Sequence, residues 1–186
     1  MNNEFNIDQL ITQGIIRNEL ELERASMAER KLRLMGKEFP QAKIKRKLLR
    51  ELIYAYEAEH WTNRDKISDA QVAQNDTAET IVSLESKFVD SRKKLIKAKL
   101  KELDLNQQEF GRILGHNSKS YMSELMNGVV PFTLKDLIII SKLLKINLNK
   151  LIPTQIPDED KIKIANTIKT LGKPKLKLDN TEFSFV

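Results

Sequence analysis

Asn106-Gln107-Gln108-Glu109-Phe110-Gly111-Arg112-Ile113-Leu114-Gly115-His116-Asn117-Ser118-Lys119-Ser120-Tyr121-Met122-Ser123-Glu124-Leu125-Met126-Asn127-Gly128 reads as two short helices and a tight turn. Asn106 is a capping residue, and Gln107 falls in the first turn behind it with its side chain free. Phe110, Ile113 and Leu114 form an apolar face. Gly111 is small enough to let a second helix cross closely. Gly115 ends the helix in the left-handed conformation. Ser118 caps the next helix. Met122, Leu125 and Met126 bury one side of it, while Lys119, Ser120, Tyr121 and Glu124 stay outside. Asn127-Gly128 stops it.

Working outward, Thr133 caps a further helix at about 134–145, whose Leu137, Ile140, Leu143 and Leu144 close the core. A short turn follows at 148–151. Upstream, Ile81, Leu84, Phe88, Leu95, Ile96 and Leu100 carry a lead-in helix that begins at Asp76 or Thr77. Ile7, Leu10, Ile11, Ile15, Asn18 and Leu22 share one helical face. The spacing predicts one helix that continues through Leu32 and Met35 until Gly36 and Pro40 stop it. Ile44, Leu48, Leu49, Leu52, Ile53 and Tyr56 predict a second helix ending near Trp61. Residues 63–76 are polar, with Asn63, Asp65, Ser68, Asp69, Gln71, Gln74, Asn75 and Asp76, and read as a linker. The expected organisation is all-α. An amino-terminal helical module spans 1–62 and a binding domain spans 77–152. A carboxyl segment spans 153–186, with a short helix at 158–171 capped by Asp158. Around Asp179-Asn180, Leu176, Leu178, Phe183 and Phe185 alternate at period two, which suggests a hairpin or an extended arm.

The 186 residues carry a net charge of +6, with 40% apolar and 31% charged side chains. Residues 87–152 hold 13 basic and 6 acidic groups, and residues 1–60 hold 11 and 10. The excess therefore lies in the binding domain, the footprint of a polyanion binder. Cysteine is absent and there are 2 histidines, which excludes disulfides, thiolate metal sites, a Cys nucleophile and a multi-His centre. His60 has no second ligand nearby. No Gly-rich phosphate loop and no nucleophilic triad can be assembled, so we expect neither an enzyme nor a bound cofactor. Leu137-Ile138-Ile139-Ile140 is too short to span a membrane, and Met1-Asn2-Asn3-Glu4 lacks the basic start of a leader. A cytoplasmic location is expected.

A slim second helix with small polar residues outside it fits the DNA-reading pair, its amino-terminal residues approaching base edges in the major groove. Gln107 would meet a phosphate. The expected DNA contacts are Gln107, His116, Asn117, Ser118, Lys119, Ser120, Tyr121, Glu124 and Asn127. Arg92, in the cluster Arg92-Lys93-Lys94-Lys97, would meet the backbone. Glu124 could accept from a cytosine amino group, orient a basic neighbour, or point away.

Residues 91–152 resemble the lambda-repressor/Cro type of helix-turn-helix regulator. Gln107 stands where that family places a backbone-contacting Gln, and Gly115 and Asn127-Gly128 match its punctuation. The turn His116-Asn117 is longer than in the shortest members. Within that family the likeness is closest to HigA-like antitoxins. It rests on Ser118-Lys119-Ser120, Ser123, Asn127-Gly128 and Phe132-Thr133-Leu134, and upstream on the helix ending Tyr56-Glu57-Ala58-Glu59-His60-Trp61. The resemblance implies a sequence-specific repressor binding a near-palindromic operator as a homodimer, with half-sites about 34 Å apart. It also implies a small HigB-like ribonuclease toxin as partner, neutralised and co-repressing its own operon. A stand-alone, phage-like repressor is the alternative.

Overall fold

Side-chain caps delimit most of the helices. The computed structural model describes residues 5–63, 65, 67–153, 156 and 158–173. Asn6 and Asn18 accept backbone N–H groups at the starts of α1 (Ile7–Gln13) and α2 (Glu19–Met35). Pro40 occupies the first turn of α3 (Pro40–His60), where its missing N–H costs nothing. Ser68 caps α4 (Asp69–Glu102) and Asn106 caps α5 (Gln107–Leu114). Ser118 caps α6 (Lys119–Asn127) and Thr133 caps α7 (Leu134–Leu144). A 3-10 turn spans Leu148–Lys150, and α8 spans Asp158–Leu171. Among the described residues the fold is all helical.

Three expectations are corrected. The helix expected from Ile7 to Met35 is two helices: Gly14 closes α1 at φ 73° and Asn18 starts α2. Apolar spacing bridged a break that its punctuation marked. The polar linker expected at 63–76 is, from Asp69 on, the first two turns of α4, which at 34 residues runs roughly 50 Å. Its early turns are polar because they face water, not because they lack structure. Hence no boundary falls between 62 and 77. The chain forms two compact units, Met1–Leu151 and Ile152–Val186. α8 has the bounds expected of it, Asp158–Leu171. The arm at 176–185 lies outside the described residues, and among those described there is no strand.

In the first unit α2 packs against both α3 and α4, and α4 goes on to meet α5, α6 and α7. The long helix is thus a shared spine for the amino-terminal helices and the carboxyl ones. Ion pairs lock the first group: Arg46 to Glu29 at 2.6 Å, and Arg24 to Glu85. Buried Glu19 accepts from Tyr56 Oη at 3.1 Å and Trp61 Nε1 at 3.2 Å, fastening α2 to the end of α3. Tyr56 is therefore core, whereas Tyr54 is exposed.

Burial and the nearby Glu19 carboxylate push the Tyr56 phenol up to about 12. A folded chain that holds this proton more tightly than the unfolded one loses stability as pH rises from about 10 towards 12, and none of it below that window. Phenolate absorbance should show a late step as Tyr56 ionises near pH 12. The Tyr56→Phe variant should lack that late step. A late step that survives the substitution would reassign it.

Candidate nucleic-acid interface

The crossed pair is built from α5 and α6. Asn106 accepts from Gln108 and Glu109 N–H, and Glu109 reaches back to the Asn106 N–H at 2.9 Å, a complete capping box. Gly115 closes α5 at φ 88°, a conformation costly for any residue with a Cβ. At Gly111 a Cβ would lie 2.8 Å from the His116 carbonyl oxygen and 3.3 Å from Met122. Only glycine permits this approach of turn and second helix. Met122, Leu125 and Met126 are buried against the domain, as expected.

The predicted contact residues do not share one environment. At the amino end of α5, Gln107 is half-buried, and its side-chain amide has no partner among the described residues. Asn117 and Ser118 are exposed, with the Ser118 hydroxyl accepting from Tyr121 N–H. Lys119 is largely exposed, but its ammonium lies 2.8 Å from the Glu38 carboxylate and over the Phe39 ring. These four sit at the starts of α5 and α6, where backbone N–H groups and helix dipoles favour phosphate.

The rest of the set is drawn inward. His116 Nε2 donates to Asp136 at 3.1 Å, and the same carboxylate accepts from Thr133. Its ring meets Tyr121 edge-on. Asn127 accepts from Lys93 Nζ at 2.6 Å and donates to the Ser123 carbonyl. Tyr121 is half-buried, and burial, followed by Asp136 and Asp8, raises its phenol above the usual range. The Ser120 hydroxyl oxygen is buried with no hydrogen-bond partner.

Two residues contradict the expectation outright. Glu124 is not an outward group: it is 2% exposed and accepts from Lys45 Nζ of α3 at 2.6 Å. Lys45 also pairs with Asp8 of α1 at 2.8 Å. Burial works to lower the Lys45 pKa, but the two carboxylates outweigh it and hold the ammonium above its ordinary range. Arg92 is 4% exposed and cannot meet a phosphate. Its guanidinium lies between the Phe88 and Phe132 rings and donates to the Leu151 carbonyl at 3.1 Å. It ties α4 to the end of the unit.

A second basic surface lies in the amino-terminal helices. Residues 30–50 hold 9 basic groups and 1 acidic group, an imbalance cancelled when averaged over 1–60. Arg33, Lys37, Lys43, Arg46, Lys47 and Arg50 line a groove of about 520 Å³ between α2 and α3. Arg46 is held by Glu29, while Arg33, Lys37, Lys43 and Lys47 have no acidic partner among the described residues. Among the described residues no cluster of three or more His, Cys, Asp or Glu side chains could hold a metal ion. No described helix is long and apolar enough to cross a membrane.

Residues 96–151 match the helix-turn-helix family model, of the lambda-repressor-like class. The match starts within α4 and ends at the close of the first unit, so it takes in the α5–α6 pair whole. No curated protein and no solved structure matches the chain. A DNA-binding regulator is the class this match supports.

Proposed function

We propose that the chain is a transcriptional repressor that reads duplex DNA through α6. The observation that carries the reading is the helix-turn-helix match over 96–151, together with the accessible starts of α5 and α6. Gln107 and nearby backbone amides fix the register on phosphates. Lys119 reads base edges. One helix reads few bases, so a homodimer on a near-palindrome is expected. The resemblance to HigA-like antitoxins supports a finer role, neutralising a HigB-like toxin. Co-purification of a co-expressed neighbouring toxin-sized product tests it, and a lone chain in that pull-down would favour a stand-alone repressor.

The DNA reading is tested by a gel shift with the DNA upstream of the chain's own coding region, across a salt series. Each phosphate contact should steepen the dependence of log K on log salt by about 0.9. Gln107→Ala should weaken all sequences alike. Lys119→Ala should also relax specificity, by about 1–3 kcal/mol per lost base contact. Unchanged affinity and slope in both variants would remove these residues from the interface. A second reading, a helix-turn-helix used as a scaffold for protein contacts, is favoured by one observation, the burial of Glu124 and of the Ser120 hydroxyl oxygen. No shift at any salt, either by this chain or by a Lys45→Glu variant that unpairs Glu124, would select it.

A further inference from the structure

At about 100° per residue, Ser120, Glu124 and Asn127 lie within about 60° of one another on α6, roughly opposite Met122, Leu125 and Met126. The second group faces the domain core. The first group is therefore the edge that must enter a groove, and it is covered. Glu124 is buried under Lys45 of α3, Asn127 is held by Lys93 of α4, and the Ser120 hydroxyl is sealed without a partner. With Glu124 buried, the Ser120 hydroxyl oxygen shielded and Asn127 held by Lys93, this edge does not enter a duplex as it stands.

The polar chemistry of this cover is unlike a permanent core. A buried hydroxyl normally finds a partner, and a buried carboxylate is normally replaceable by something apolar. Here both sit on one helix face, closed by side-chain ion pairs. At its edge Glu38, in the turn between α2 and α3, places a carboxylate 2.8 Å from Lys119 Nζ. That anion engages the same ammonium that a DNA phosphate or an acceptor on a base edge would need.

We propose that α1, α3 and the α2–α3 turn form an autoinhibitory cover over α6, latched by the Asp8–Lys45–Glu124 pairs and by Glu38 acting as a stand-in for phosphate. The duplex and the cover then compete for one surface. This rests on α6 being the reading helix, but the cover is testable without DNA. The chain has no cysteine, so Ser120→Cys in the full chain supplies a single thiol at the sealed position. Its maleimide labelling rate reports opening, with exposed Ser118→Cys as the reference.

The expected result is labelling of Ser120→Cys at least tenfold slower than the reference. Adding Lys45→Glu, with helical content checked by circular dichroism, should bring the rate to within about threefold of it. Rapid labelling of Ser120→Cys alone would overturn the cover. Protection that persists after Lys45→Glu would overturn the latch. Neither outcome depends on whether DNA binds. Failure of the DNA reading would show separately, as no gel shift by the Lys45→Glu chain without the added thiol.

Discussion

Lys45→Glu tightens DNA binding by about a hundredfold while lowering the stability of the closed chain. The substitution removes the cation facing Glu124 and puts a third carboxylate beside Asp8 and Glu124. Leaving a buried charge unpaired costs about 3–5 kcal/mol, and each 1.4 kcal/mol is tenfold in population. A site competent only when uncovered has an apparent affinity scaled by its uncovered fraction. Net charge makes the sign diagnostic. The change makes the chain more negative by two units, which on electrostatics alone weakens binding to a polyanion. Only release of α6 reverses that sign. Titration of labelled duplex with both proteins at one salt concentration checks it, and weaker binding by the variant would sink the cover as a control on DNA.

Arg92→Ala carries the second large effect, on stability. The alanine loses the guanidinium between two aromatic rings, the buried stem, and the donor to the Leu151 carbonyl. Cation–π contacts, packing and an orphaned acceptor together amount to about 3 kcal/mol. A denaturant titration should show the midpoint falling with little change in slope. Full stability with lost DNA affinity would return Arg92 to the phosphate-contacting role that the sequence suggested.

That residue also shows how far sequence reading reaches. Phe88, Arg92, Ile96 and Leu100 recur every four residues, so Arg92 lies on the apolar face of α4. The signal was present, but membership of a Lys-rich run outweighed it. The caps at Asn106, Ser118 and Thr133, and the left-handed Gly115, were legible because they depend on neighbours within four residues. The break at Gly14 was marked by the same chemistry and hidden by periodicity, since Ile15 continues the apolar spacing yet is exposed.

Glu124 was legible only as an odd acid on a DNA-facing helix. Its partner lies 79 positions away, and nothing in local sequence announces such a contact. The same holds for the cover as a whole, which depends on α4 being one continuous spine. A linker at 63–76 would have left the amino-terminal helices free of α6. Polarity there suggests a linker, whereas Ser68 and a run of exposed helical residues make it the start of the longest helix among the described residues.

The central claim, that α6 is the helix that reads DNA, is tested most directly by thiol footprinting on the uncovered chain. Lys45→Glu/Ser120→Cys is labelled with and without saturating upstream duplex, beside Lys45→Glu/Glu59→Cys, whose thiol sits at the exposed far end of α3. If α6 enters the groove, duplex slows labelling at Ser120 at least tenfold and leaves the α3 thiol unchanged. Bound duplex with undiminished labelling at Ser120 would contradict it.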